Sequence, residues 1–353
     1  MKNKAKTKII STKAFKSAVF FAAVIAFCVL YYFISPYFIS EKPQFDGAFP
    51  IVVYGEEKTD LEVHYIDVGQ ADSVLIKTPD FRYVLIDSGD TDDFYGEKLV
   101  SYLKYIGVKT IDYAVATHSD ADHIGGFKRI CDNFKVKFFF RPYVKSSNVK
   151  SDYLKERFNP PQAYYCDTDA YADFLIGVKK ERANWVFTTK DTDFIFDYGQ
   201  NKLVFDFLTP IDDISKQKYS DMNEYSPLLK VSYGKFSFMF TADAPSKTEK
   251  SAMDFYDVRT MSCKVLKIGH HGSDTSTSFK FLKATTPDFA VISCGDGSIY
   301  NHPKQTVLTN LLSLNIKVYR TDKQGNIVFK VDADGKTSIK TEKNYQGSLY
   351  TGY

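Results

Sequence analysis

The sequence predicts an α+β fold in which two sheets pack face to face under covering helices, preceded by one N-terminal transmembrane helix. Three observations carry that expectation. Short apolar runs bounded by turn residues recur throughout the body, as strands do. Amphipathic stretches with helical spacing fall between groups of those runs, which suits stacked layers rather than a bundle. Ahead of both lies a basic segment followed by a long uncharged apolar run.

The expected strands are Leu61–Asp67, Ser73–Thr78, Tyr83–Asp87, Ile111–Thr117, Val136–Phe140, Lys202–Thr209, Leu228–Ser232, Lys235–Thr241, Lys264–Ile268, Phe289–Ser293, Ile316–Arg320 and Asn326–Val331. Tyr233-Gly234 is expected to close a tight hairpin between two of them. Helical spacing marks Phe94–Ile106, Gly126–Asn133, Ala170–Arg182, Ser246–Tyr256, Thr277–Ala284 and Lys304–Ser313. The stretch 141–201, with Asn159-Pro160-Pro161 and the single Trp185, is the least regular and reads as an insertion flanking the site.

Lys2, Lys4, Lys6, Lys8, Lys13 and Lys16 precede seventeen residues, Ala18 to Ile34, that carry no charge. As a helix this run would be roughly 26 Å long, near the short end of what spans a bilayer. Tyr31, Tyr32 and Tyr37 sit at its far end, where amphipathic rings favour the interface, and the basic flank should stay cytoplasmic. The division expected is a basic segment at 1–17, a signal anchor at 18–39, a linker at 40–59 and a folded body at 60–353. The body would then be extracytoplasmic on a single-pass anchor, or secreted if the segment is a cleaved signal. A net charge of +3 gives no sign of a strongly basic nucleic-acid surface. Cys28, Cys131, Cys166, Cys263 and Cys294 show no CxxC spacing, so neither a zinc finger nor a disulfide framework is indicated. No protein partner can be inferred.

The chemistry concentrates in one stretch, Thr117-His118-Ser119-Asp120-Ala121-Asp122-His123-Ile124-Gly125-Gly126. It follows an apolar run and precedes a helical one, so four imidazole and carboxylate groups would converge at a strand end. The two glycines are expected to provide a sharp turn. Of six histidines in the chain, five stand in such settings: His118, His123, His270, His271 and His302. Val265-Leu266-Lys267-Ile268-Gly269-His270-His271-Gly272-Ser273 repeats the strand-to-histidine pattern, and Phe238-Met239-Phe240-Thr241-Ala242-Asp243 ends a strand in a carboxylate. Strand ends delivering His and Asp are a route to a two-metal centre.

These motifs resemble the metallo-β-lactamase fold, a four-layer αββα sandwich, in the variant found in the hydrolase domain of ComEC competence proteins. His118-Ser119-Asp120-Ala121-Asp122-His123 is similar to the family's HxHxDH signature, with Asp120 replacing the middle His. Ile66-Asp67-Val68-Gly69-Gln70-Ala71-Asp72-Ser73 resembles the branch's DVGQGD opening with Ala71 for Gly. Leu85-Ile86-Asp87-Ser88-Gly89, Asn223 with Ser226, Thr241-Ala242-Asp243, Gly269-His270-His271-Gly272-Ser273 and Tyr300-Asn301-His302-Pro303 complete the series in family order. The resemblance implies two divalent ions, one held by His118 and Asp120, the other by Asp122, His123 and His270, with Asp243 bridging. No His lies between His123 and Asp243, where the fold usually has another ligand, so a group near Asn223 or water would complete one ion. The oxygen-rich set makes Mn²⁺ a rival to Zn²⁺.

Around these, Asp87 is expected to orient a ligand His, and His271 to act behind the ligands or on substrate. Asp67, Gln70 and Asp72 would shape the floor or cap a turn. Ser226 and Ser273 belong to the surrounding group, and His64 reads as structural. The implied reaction is metal-assisted hydrolysis, with Asp122 or Asp243 accepting a proton from water and His302 as general acid. Phosphodiester hydrolysis on DNA is the preferred substrate reading, another ester, thioester or lactam the second, and a silent binding domain the third. Lys128, Arg129, Lys135, Lys137, Arg141 and Lys145 form a basic run that reads as a solvated face, with a phosphate track as the alternative.

Overall fold

The computed structural model describes residues 47–144, 168–212, 219, 221–297 and 299–352. The expected anchor, its basic flank, Cys28, Cys166 and Lys145 lie outside the described residues. Among those described, no helix is long and apolar enough to cross a membrane.

Among the described residues, sixteen strands form two eight-stranded mixed sheets. The first sheet joins β2 (Leu61–Tyr65), β3 (Val74–Lys77), β4 (Tyr83–Ile86), β5 (Thr110–Val115), β6 (Lys135–Arg141) and β7 (Asn184–Phe187), with β15 (Ile327–Val331) and β16 (Thr337–Thr341) at its other edge. The second runs β1 (Ile51–Tyr54), β8 (Phe194–Asp197), β9 (Lys202–Phe207), β10 (Leu229–Tyr233), β11 (Phe236–Phe240), β12 (Val265–Lys267), β13 (Phe289–Ile292), β14 (Lys317–Arg320). Period-2 alternation places Val63, Tyr65, Ile76 and Val84 of one sheet against Phe196, Phe205, Val231 and Phe238 of the other, an aromatic-rich core between the sheets. Two further apolar clusters lie on the outer faces. One receives Leu99 and Leu103 of α1 (Asp93–Ile106), Ile130 of α3 (Phe127–Asn133) and Phe174 of α4 (Asp169–Glu181). The other receives Ala252 of α5 (Ser246–Phe255), Met261 of α6 (Val258–Met261), Phe281 of α7 (Phe279–Thr285) and Leu308 of α8 (Gln305–Ser313). The layers are therefore helix, sheet, sheet, helix.

Local chemistry sets the helix ends. Asp92 caps α1 by accepting from the Tyr95 amide at 2.9 Å, and Gly107 terminates it in the left-handed region. The hairpin β10–β11 turns at Gly234, φ +56°, with Tyr233 facing Phe236.

Two organisational expectations need correction. Residues 51–54, expected in a linker, form β1, which pairs in parallel with β8, so the folded body starts before residue 60. Within 141–201, β7 extends the first sheet and β8 the second, so residues 184–197 are framework rather than insertion. Strand β16, whose half-exposed alternation carries little apolar signal, was not anticipated.

Candidate metal centre

The carboxyl ends of parallel strands meet at one point. β4 runs parallel to β5 in one sheet, and β11, β12 and β13 run parallel in the other. Their C-terminal loops deliver Asp87, His118, Asp243, His270 and His271, while α2 (Ala121–Ile124) opens with Asp120 as its N-cap and carries Asp122 and His123. Gly125 and Gly126 have ordinary right-handed backbone, so the expected sharp turn is not their role. Space is: a Cβ on Gly126 would stand 2.1 Å from the Ser88 carbonyl oxygen.

Asp122, His123, Asp243 and His271 each offer a ligand atom within 4.8 Å of the others. His123 Nε2 lies 3.1 Å from Asp243 Oδ1, His271 Nε2 lies 3.2 Å from Asp122 Oδ2 and 3.7 Å from Asp243 Oδ2, and His118 Nε2 lies 3.4 Å from Asp120 Oδ2. His118 Nε2, His123 Nε2 and Asp243 Oδ1 are all buried without a hydrogen-bond partner. The 3.1 Å approach of the last two is close enough for a bond but wrongly directed for one, as expected of atoms aimed at a common third point. Buried polar groups are rarely left so, and a mixed imidazole and carboxylate set fits a divalent ion. The residues present fit the implied metal.

Each imidazole is held from behind. Asp87 Oδ2 stands 2.8 Å from His123 Nδ1 and accepts from the Thr117 hydroxyl at 2.8 Å, while its Oδ1 accepts from the Thr117 amide at 3.0 Å. The same hydroxyl is 3.0 Å from His118 Nδ1. Ser293 O is 3.0 Å from His271 Nδ1. Nδ1 of all three rings is thereby engaged and Nε2 is presented to the cluster.

The gathering of charge shows in the ionisation. Burial alone would lower the pKa of His123, but Asp243 and Asp87 carry it well above the usual histidine range. Burial likewise opposes protonation of His271, yet Asp243, Asp122 and Asp72 push it up to about 10. Asp243 is held well below the usual carboxylate range by His123 and His271 against the effect of burial. Asp122 is lowered too, with burial opposed by the bond to His271. Without metal, protons stand in for the cations.

The remaining expected residues fall into place around this group. His270 adopts φ +50° and sits at the rim, its Nε2 3.5 Å from Asp243 Oδ2 and its Nδ1 3.0 Å from Thr275 Oγ1. The four-residue group thus contains His271 where the resemblance had suggested His270. Ser273 braces that turn through Thr275 at 2.9 Å. Ser226 Oγ accepts from the Asp243 amide at 3.2 Å, and Asn223 Oδ1 behind it is buried and unpartnered. Asp67 pairs with Lys98 at 2.8 Å and stays out of the cluster. His64 bonds the Tyr102 hydroxyl at 2.9 Å. Asp72 lies beneath His123 and His271, paired at 2.5 Å with Lys267, a residue given no role from sequence although a lysine inside the buried run Val265–Ile268 was its signal.

A cavity of about 460 Å³ opens above the cluster, lined by Gln70, Asp90, Asp120, Ala121, Asp122, Asp243, His270, His271, Tyr300 and His302. His302 stacks beside Tyr300, and burial together with the nearby His270 and His271 lowers its pKa to about 4. It is therefore neutral at pH 7, without the extra proton a cationic acid would donate. Among the described residues, the basic run does not form an open track. Lys128 pairs with Asp132, Arg129 with Asp93, Lys135 with Glu181 and Lys137 with Asp112, while Arg141 is buried with its guanidinium 3.8 Å from the Trp185 ring centre.

A family profile described as the metallo-beta-lactamase superfamily matches residues 66–296, and the chain belongs to that family. Its curated relatives include a competence protein. It is 30% identical over 299 residues to ComE operon protein 3 of Bacillus subtilis (strain 168), covering 80% of this chain and 34% of that protein. It is 29% identical over 277 residues to competence protein ComA of Neisseria gonorrhoeae, covering 78% and 33%. The chain thus spans about a third of the length of these relatives. Among solved structures, Rm3 metallo-beta-lactamase matches with a TM-score of 0.33 at 13% identity, covering 60% of this chain and 76% of that one.

Proposed function

We propose that the chain is a membrane-anchored, extracytoplasmic phosphodiesterase that cleaves DNA with two divalent ions, Zn²⁺ or Mn²⁺. The observation that carries the hydrolase reading is the set of buried, unpartnered atoms on His118, His123 and Asp243, set among Asp120, Asp122 and His271 at the base of an open cavity. His118 and Asp120 would hold one ion, and Asp122, His123 and His271 the other, with Asp243 between them and His270 at the rim. When bound, the ions acidify water and stabilise the charge that develops on a phosphate. Asp122, about a third exposed where Asp243 is buried, would orient a water and take its proton. Neutral His302 supplies a hydrogen bond to substrate across the cavity rather than a cation. The resemblance to the hydrolase domain of ComEC competence proteins favours DNA, and the basic and apolar pattern of residues 2–34 favours the anchored, external placement.

The test uses the full chain in detergent, stripped of metal and resupplied with Mn²⁺ or Zn²⁺. Substrates are single-stranded DNA, double-stranded DNA and bis-p-nitrophenyl phosphate, with Asp122→Ala and His123→Ala as controls. Metal-dependent cleavage that falls by at least roughly 100-fold in both variants is expected. Two bound metals with no cleavage of any of the three would refute the phosphodiester reading and turn attention to carboxylic esters, thioesters and lactams.

A further inference from the structure

Below the metal cluster lies a second, fully buried group, Asp72, Asp87 and His123, whose potential ligand atoms also fall within 4.8 Å of one another. His123 therefore faces carboxylates from both ring nitrogens: Asp243 at Nε2, and Asp87 at 2.8 Å and Asp72 at 3.8 Å from Nδ1. A cation attracted to the inner group would compete for Nδ1 and break the bond that orients the ring. Asp72 crowds His271 as well, with Oδ1 3.5 Å from Nδ1. Two buried imidazoles thus have an additional carboxylate within reach on the wrong side.

The Lys267 side chain is 2% exposed, and its Nζ lies 2.5 Å from Asp72 Oδ2, the oxygen that faces His123. That Nζ also donates to Ile268 O at 3.0 Å. Lys267 ends β12, four residues before His271. Asp72 in turn ties the neighbouring loops: its amide donates to Asp122 O at 3.0 Å and its carbonyl accepts from the Gly89 amide at 2.8 Å. Accepting the cluster above as the metal centre, we infer that Lys267 is a positioning residue whose ammonium acts as a built-in cation. It fills the inner carboxylate group, draws Asp72 off the two imidazoles, and leaves Nε2 of His123 and His271 for divalent ions in the outer group. A buried ammonium suits that task because it cancels one charge and offers no ligand atom.

The test is a cycle of Lys267→Met, Asp72→Asn and the double variant, read as Mn²⁺ affinity and stoichiometry and as the visible spectrum of Co²⁺-loaded full chain in detergent. Each single variant leaves one uncancelled buried charge beside the imidazoles, and each should lose about 10–100-fold in metal affinity, the range of lost supporting contacts. The double variant, with neither charge, should return to within about threefold of wild type. Lys267→Arg, which keeps a cation beside Asp72, should retain the wild-type Co²⁺ spectrum. If Lys267→Met does not fold, Asp72→Asn against the double variant decides the matter. Single variants that bind metal as wild type does, or a double variant as impaired as the singles, overturn the inference. A wild-type chain that takes up no metal removes the centre itself, which is a different result.

Discussion

Replacing Asp87 by Asn changes one atom and should disable two imidazoles of the proposed metal centre. Asp87 has φ +56°, a conformation Asn tolerates, so the backbone survives. A carboxylate oxygen only accepts, so Oδ2 requires a proton on His123 Nδ1 and a donated proton from the Thr117 hydroxyl. Having donated, that hydroxyl accepts from His118 Nδ1 at 3.0 Å. Once His123 gives up the extra proton it holds without metal, both rings carry their proton on Nδ1 and present a bare Nε2. An amide NH₂ at the Oδ2 position reverses each direction: it donates to His123 Nδ1 and to Thr117, whose hydroxyl then donates to His118. Both protons move to Nε2, into the cluster. With about 10–100-fold lost per misdirected ligand, metal affinity should fall by at least roughly 100-fold, or about 2.7 kcal/mol. The metal-free fold loses two hydrogen bonds to a charged acceptor, worth about 1.5–3 kcal/mol each before the amide's replacements are counted. Metal titration of refolded Asp87→Asn, beside urea unfolding of the metal-free form, measures both. Thr117→Val cuts only the His118 branch and should lose about tenfold. Wild-type metal affinity in Asp87→Asn would refute the relay.

Metal affinity should also rise with pH. The His271 pKa of about 10 lies above its unfolded value, so its proton stabilises the metal-free fold fully below about 6.5, and that stability is lost as pH rises through 10. A metal must displace this proton, so affinity should climb about tenfold per pH unit below 10 for each proton released; a pH-independent affinity would contradict it. His271→Ala should abolish tight binding of one ion, whereas His270→Ala should weaken binding less than tenfold, as metal content after dialysis will show; the reverse order would restore the expectation from sequence. A chain starting at Leu61 lacks Ile51 and Val53, which pack on the inter-sheet core, and bares the β8 edge. It should lose about 2–3 kcal/mol and aggregate, seen by urea unfolding and light scattering, and an unchanged urea midpoint would count against this.

Much of this protein is written locally. Strand runs such as Tyr83–Ile86 and Phe236–Phe240 announce themselves because a buried strand is a short apolar run, and the loop from His118 to Gly126 announces a site because a strand end gathers its ligands within a few residues. Other features exist only through partners far along the chain. β1 reads as linker because it is short and follows Pro43 and Pro50, and becomes a strand only by pairing with β8 some 140 residues later. Adjacent side chains on an extended segment would point apart, but His270 and His271 are both left-handed, at φ +50° and +53°. Which imidazole turns inward is settled by Ser293, just after β13, and by Asp122 on α2. Lys267 is a misplaced charge in its own strand and makes sense only against Asp72, 195 residues earlier. Sequence determined which groups of atoms exist and which stand at strand ends, because short-range periodicity and turn chemistry decide that. Tertiary structure alone decided which nitrogen faces which oxygen, because those choices rest on hydrogen bonds and buried charge between segments that meet only when the two sheets close.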